Sequence, residues 1–222
     1  MPGGIILEFP DMFLGGLWLT IQVAFWGLIG SLLLGIVIAL MRISPIAPLR
    51  WIGVGYVEFF RNTPLLVQLF FFFFGLPFLG IRISEDVFVT IFYEAIMAMS
   101  LYHGAYMAEV IRGGLLGVDR GQVEAARSLG LSYVQMLRFV QVPQAVRAVI
   151  PPLGNIGIAL VKNTSLAATI GLAELLHNTE IVESRTFRAF EAYTAAAMLY
   201  LVLTIPLGIG VNFLERRLLV TR

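Results

Sequence analysis

The chain has 222 residues, of which 59% are apolar and 13% charged, with a formal net charge of +1 and no cysteine. Soluble domains carry about 25% charged residues, so this balance excludes a nucleic-acid binder, a disordered chain and a conventional soluble enzyme. The lack of cysteine excludes disulfide frameworks, thiolate zinc sites and cysteine nucleophiles, and what remains is a polytopic membrane protein.

Residues 12–41, 62–81 and 192–214 carry no charge, and each run is long enough to cross a ~30 Å hydrocarbon core as a helix of about 20 residues. Two further apolar stretches are interrupted, one by Glu94, Glu109 and Arg112 and the other by Lys162. The pattern predicts an all-α membrane protein, a single transmembrane domain over 1–222 with five helices, roughly 12–41, 52–77, 87–112, 148–172 and 192–214. A β-barrel is excluded because the runs do not alternate with period two. Basic residues orient the spans. Arg42, Arg50, Arg112, Arg120, Arg127, Arg138, Arg147, Arg216, Arg217 and Arg222 fall on one side, against Arg82, Arg185 and Arg188 on the other. The excess of Lys and Arg on cytoplasmic loops predicts an external N-terminus, a cytoplasmic C-terminus and a first span that is an uncleaved anchor.

The second helix contains Glu58, Arg61, Asn62, Thr63, Pro64 and Gln68. Pro64 removes an amide hydrogen and clashes with the carbonyl four residues back, which frees polar backbone at membrane depth. Such a break is tolerated only against protein or a wet cavity, and a broken helix with a cation nearby suits a substrate carboxylate. Arg61 is the expected anchor for such a carboxylate, with Asn62, Thr63 and Gln68 as polar neighbours. The alternative is a self-neutralising Glu58–Arg61 pair at i,i+3. In the third helix, Glu109 and Arg112 read as a structural pair, Glu94 as an interfacial group near the outer end, and His103 as a hydrogen-bonding group between helices.

The longest polar segment, about 113–147, reads as cytoplasmic. Residues 121–130 form an expected short helix stopped by Gly130, with Ala125 and Ala126 as a small face for a close partner. An amphipathic stretch over 131–142 follows, broken by Pro143. Contact with anionic lipid through Arg127, Arg138 and Arg147 is the competing reading, and pattern alone leaves the two level. In the fourth helix Gly154, Asn155 and Gly157 read as packing positions. Asn163, Thr164 and Ser165 are expected to contribute to a pathway while Lys162 pairs with an acid. The stretch 173–191 reads as external and polar.

Glu124-Ala125-Ala126, three residues, Gly130, nine residues and Val140-Gln141-Val142-Pro143 resemble the EAA loop of ABC importer permeases, with valines in place of its isoleucine and leucine. Residues 104–113, Lys162 to Leu166, and Glu58 to Gln68 are similar to the polar amino acid (histidine/glutamine/glutamate-type) branch of that family. The resemblance implies a non-enzymatic subunit of the bacterial inner membrane without a cofactor of its own. Its loop residues Glu124, Ala125, Ala126, Arg127, Gly130 and Pro143 would form the coupling helix that seats in an ATP-binding subunit. It further implies a dimer of ATP-binding subunits, a second permease chain (identical or similar) and an external solute-binding protein. The chain has no G-x-x-x-x-G-K-[ST] phosphate loop, in keeping with ATP chemistry on a separate subunit. Cationic-amino-acid carriers of this branch commonly hold aspartate where this chain has Asn163, so the resemblance points to glutamate, glutamine or aspartate as cargo. The alternative class is a proton-coupled secondary transporter or channel using Glu94, Glu109 and His103.

Overall fold

The structure is a computed structural model that describes residues 2–81 and 83–219; Arg82 and Arg222, counted in the charge argument, lie outside them. The chain runs through α1 (Pro2–Glu8), α2 (Pro10–Ile43), α3 (Ala47–Asn62) and α4 (Leu65–Phe70), then a π-helical turn (Phe71–Gly75) and α5 (Leu76–Phe78). After α6 (Val87–Leu116) come α7 (Arg120–Ser128), α8 (Tyr133–Met136), a second π turn (Leu137–Gln141), α9 (Val142–Asn163) and a 3-10 helix (Thr164–Ile170). α10 (Leu175–Thr186) and α11 (Ala189–Leu219) complete it. Among the described residues no strand occurs. Four helical stretches, Pro10–Ile43, Val87–Leu116, Tyr133–Ile170 and Ala189–Leu218, are long and apolar enough to span a bilayer, and the bent pair Ala47–Asn62 and Leu65–Phe78 makes a fifth.

Two expected boundaries differ. The second span starts at Ala47, five residues earlier than the hydrophobic run suggests, because Pro48 pre-sets the first helical turn. The fourth begins at Tyr133, and the chain passes straight through Pro143 instead of breaking there. The preceding π turn explains this. Val142 N–H bonds to Leu137 O, a register one residue wider than the α-helix, and Pro143 falls in the first turn of α9, where a missing donor is tolerated. The same arrangement recurs where the Phe71–Gly75 π turn precedes Pro77.

Lipid offers little hydrophobic drive for helix association, so spans associate through close packing at small residues. The α2–α6 seam follows that rule. A Cβ on Gly30 would lie 2.2 Å from Ser100 Oγ, and one on Gly35 would lie 2.7 Å from Met107 Cβ. Around the seam Leu19, Val23, Leu65, Leu69, Ile91, Ala98, Met99 and Leu160 form the largest apolar cluster. The outward faces stay apolar, as for Leu33 at 61% and Ile209 at 65% exposure, which suits a molecule whose solvent is acyl chain.

The arginine-rich segments share one end: Tyr133 Oη donates to Ile43 O (3.1 Å) and Gln141 Nε2 to Leu115 O (3.2 Å). At the other end α1, the start of α2, α10 and the start of α11 bury Ile5, Phe13, Leu175, Val182 and Ala192 together. There Glu174, fully buried, caps α10 through His177 N–H (2.9 Å) and accepts from Thr20 Oγ1 (3.3 Å) and Tyr200 Oη (2.7 Å). Burial pushes its carboxyl above the usual range, and these hydrogen bonds pull it back in part.

Candidate functional site

The break falls at Pro64, as the missing amide requires. Thr63 and Pro64 are extended, and the axes of α3 and the helix after it differ by 104°. The polar residues around it absorb the freed carbonyls. Thr63 Oγ1 donates to Phe59 O (2.8 Å) and Asn62 Nδ2 to Glu58 O (2.8 Å). Gln68 Nε2 lies within reach of Phe60 O (3.1 Å), Thr63 O (3.1 Å) and Thr63 Oγ1 (2.8 Å), so its two hydrogens are shared among three acceptors. That fixes the amide and leaves the buried Gln68 Oε1 without a hydrogen-bond partner.

One turn below the break, three guanidinium groups converge on one carboxylate. Glu109 receives Arg42, both Arg112 Nε and NH2 at 3.0 Å, and Arg61 NH1 at 3.8 Å. The Glu109–Arg112 contact follows from i,i+3 spacing. The alternative Glu58–Arg61 pair does not form: Glu58 Oε2 takes Asn62 Nδ2 at 2.9 Å instead, while Arg61 points to α6 and sits 5.2 Å over the Tyr106 ring. Arg61 is the most loosely held of the three, with 41% side-chain exposure against 13% for Arg42 and 30% for Arg112.

A second polar seam meets the first across α6. His103 is buried and its Nδ1 lies 3.0 Å from Met99 O. A carbonyl only accepts, so Nδ1 carries the proton and Nε2 accepts from Asn163 Nδ2 at 3.1 Å. Tyr102 packs edge-on to the His103 ring and shares a 3.2 Å hydrogen bond with Tyr106. The chain Arg61, Tyr106, Tyr102, His103, Asn163 thus joins the end of α3 to the end of α9. Thr164 and Ser165 instead bond back to Val161 O and Lys162 O (2.8 Å each). Lys162 is exposed and forms no ion pair among the described residues, contrary to the expected pairing with an acid. Glu94 is 1% exposed within the core rather than interfacial, because it shares a helix face with Ile91 and Ala98. Sequence reasoning missed Arg42, which reads as a loop cation, and Tyr102 and Tyr106, whose i,i+4 spacing was the available signal.

At the arginine-rich end, Asp119 caps α7 by accepting from Gly121 N–H (2.8 Å) and Gln122 N–H (3.3 Å). Gly130, at φ 77°, closes it: Gly130 N–H bonds to Arg127 O and Leu131 N–H to Ala126 O, the double bond of a Schellman ending. The two alanines part company. Ala126 is buried at 4%, whereas Glu124, Ala125 and Arg127 face outward, followed by Leu129 at 82% exposure. The small face expected from the sequence is therefore Ala125 alone, and Ala126 fastens α7 to its own chain.

The sequence pattern of the binding-protein-dependent transport system inner membrane components matches residues 31–220. The probable glutamine ABC transporter permease protein GlnM of Bacillus subtilis is 43% identical over 214 residues, 96% of both chains. The glutamate transport system permease protein GluC of Corynebacterium glutamicum is 37% identical over 92% of this chain and 93% of its own. A chain in the crystal structure of an amino acid ABC transporter with histidines superposes with a TM-score of 0.87 at 36% identity, covering 96% of both. At 20% identity and a TM-score of 0.73, covering 95% of this chain and 98% of its own, a chain of the MetNI methionine ABC transporter shares the fold. The matched stretch takes in four of the five spans, the broken one among them, and the loop stopped by Gly130, and the chain belongs to the binding-protein-dependent transport system inner membrane components, as a multi-pass permease of that family.

Proposed function

We propose that this permease carries polar or acidic amino acids (glutamate, glutamine or aspartate), with Arg61 as the α-carboxylate anchor. The observation that carries the reading is the charge imbalance beside the break: three guanidinium groups around one carboxylate, the most exposed of them stacked on Tyr106 and only distantly paired. A substrate carboxylate arriving at the break replaces Glu109 as the partner of Arg61, and Glu109 stays satisfied by Arg42 and Arg112. Asn163, oriented by His103, offers an amide rather than a charge, and Lys162 adds a cation on the same helix end, so a cationic side chain finds no counter-ion there. Asn62, Thr63 and Gln68 hold the break open, with Gln68 Oε1 the free acceptor. Thr164 and Ser165 border the pathway at the foot of the 3-10 helix.

The arginine-rich end faces the cytoplasm in this proposal. There Glu124, Ala125, Arg127 and Leu129 seat in a cleft of the ATP-binding subunit, two such subunits serving two permease chains, while a solute-binding protein delivers cargo at the α10 end. From Tyr133 to Ile170 the chain is an almost unbroken helical rod of 38 residues, about 57 Å at 1.5 Å per residue. A displacement of α7 therefore turns the helix whose far end holds Asn163. The test is ATP-driven uptake by the complete complex in vesicles over a panel of acidic, amide and basic amino acids. Selective uptake of the first two, weakened for every substrate by Arg61→Ala, is expected; unchanged affinity in that variant, or uptake driven by a proton gradient without ATP, overturns it.

A further inference from the structure

A seam remote from the broken helix has the dimensions and charge of a lipid site. α9 places Arg147, Ile150, Gly154, Gly157 and Val161 at intervals of three and four, hence on one face, and α11 places Leu203, Leu207, Val211 and, two turns further on, Leu218 on one face as well. Between these faces and α2 lies a groove of about 580 Å³ whose walls carry no polar side chain; Phe25, Leu28, Gly157, Val161, Leu207 and Val211 are among them. Gly157 widens it by lacking a side chain, and a Cβ there would make only an ordinary contact with Leu28 Cδ1 at 3.4 Å. Further along the same seam, at the α7 end, lies a second cavity of about 560 Å³, lined by Gly113, Gly117, Asp119, Gln144, Arg147 and Leu218. Its guanidinium and its carboxylate form no ion pair with each other among the described residues, and Asp119 uses only Oδ1 in capping α7.

We propose that this seam binds one phospholipid with an ethanolamine headgroup from the leaflet on the α7 side. The acyl chain lies in the apolar groove, the phosphate against Arg147 and the ammonium against Asp119. Length supports the assignment. Fourteen residues separate Arg147 from Val161, about 21 Å of helix, against half of the ~40–45 Å from headgroup to headgroup across a bilayer. Charge supports it too, because a cation and an anion lining one pocket complement a zwitterion better than a purely anionic headgroup. The polar seam of α9 (Asn155, Lys162, Asn163) faces elsewhere, so a lipid here leaves the substrate path untouched.

The test uses the complete complex, permease with its ATP-binding subunits, purified in detergent and exchanged against defined phosphatidylethanolamine, phosphatidylglycerol or phosphatidylcholine, with retained lipid counted by native mass spectrometry. One phosphatidylethanolamine retained per permease chain is expected, with Arg147→Ala lowering retention of any phospholipid about tenfold and Asp119→Asn, which keeps an oxygen for the cap of α7, lowering the preference over phosphatidylglycerol about tenfold, as the loss of one charge-assisted contact implies in each case. Gly157→Leu fills the groove and should abolish retention; Gly157→Ala, which adds only an ordinary contact, should keep it if the larger residue fails to fold. Equal retention of all three lipids, or retention indifferent to Arg147→Ala and Gly157→Leu, overturns the proposal. So does a loss of permease pairing in Gly157→Leu with lipid retention intact, which would make the seam an interface between two copies.

Discussion

Glu109 and Arg61 share an ion cluster, yet removing each should have opposite consequences. Glu109→Gln leaves Arg42, Arg61 and Arg112 facing one another with no carboxylate within 4 Å. Breaking a fully buried pair costs about 3–5 kcal/mol; these side chains are 13–41% exposed, so solvent screening reduces the cost to about 2–3 kcal/mol. For a chain of this size each kcal/mol moves the thermal midpoint by about 2–4 °C, giving a fall of about 5–10 °C in Tm. Arg61→Ala removes the 3.8 Å contact and the stacking on Tyr106, leaves Glu109 with two closer partners, and should shift Tm by about 1–4 °C, less than Glu109→Gln does, since an exposed pair contributes about 0–1 kcal/mol and an exposed cation–π contact about 0.5–1 kcal/mol. Transport reverses the order. Loss of a charged hydrogen-bond donor to a carboxylate costs about 1.5–3 kcal/mol, a rise of about 10- to 150-fold in the KM for uptake. The assay pairs Tm of the purified complex with ATP-driven uptake in vesicles. If Arg61→Ala destabilises as much as Glu109→Gln, or keeps its KM, Arg61 is a structural member of the cluster and no substrate anchor.

Four further outcomes are expected. Glu124→Lys and Gly130→Asp should insert and fold yet lose ATP-driven uptake, the first by reversing charge on the outward face of α7, the second by straining a φ of 77° that costs a non-glycine residue about 1 kcal/mol or more; normal uptake in both would remove the coupling role. Pro143→Ala restores a backbone donor beside the Leu137–Gln141 π turn and should let it tighten, which rotates α8 against Asn163 by about 100° and leaves ATP hydrolysis running with little uptake, a ratio measurable in one vesicle preparation. Gly35→Leu drives a side chain into Met107 and should cost about 1–3 kcal/mol by overpacking, whereas Gly55→Ala, with open space around it, should leave Tm unchanged or slightly raised. Because the folded carboxyl of Glu174 is held above its ordinary value of about 4.3, the fold keeps a proton the unfolded chain releases; that stability is complete below about pH 4.3 and drains as pH rises through the folded value, so Glu174→Gln should flatten the fall in Tm with rising pH.

What the sequence shows plainly is whatever depends on local rules. Charge-free runs report spans because lipid admits no unpaired charge cheaply, Pro64 reports a break because one amide hydrogen is missing, and Gly130 reports a helix end because only glycine turns left-handed at little cost. The failures share a cause as well. Pro143 has the same chemistry as Pro64, and only the register of the preceding turn decides that one breaks a helix and the other does not: the π turn at Leu137–Gln141 has already widened the ladder, whereas no such turn precedes Pro64. Nothing in the identity of residues 137–141 announces that register, although the turn ends on Gln141, whose amide reaches Leu115 O on another helix.

Partner choice among charges is equally non-local. Arg61 has Glu58 at ideal helical spacing and abandons it, because Tyr106 offers an aromatic face and Glu109 a carboxylate 48 residues away in sequence. Asn62 then takes the vacated Glu58, and the break is stitched by the same residues that composition alone would have assigned to cargo. A polar residue at membrane depth therefore has two claims on it, satisfying the backbone and meeting the substrate, and spacing cannot apportion them. Exposure and pairing can. Asn62, Thr63 and Gln68 spend donors on carbonyls that the proline freed, while Arg61 alone keeps a half-exposed charge whose nearest anion has two better partners. That surplus is what makes the cluster fit for a visiting carboxylate, and it exists only because α2, α3 and α6 bring Arg42, Arg61 and Arg112 to a single acid.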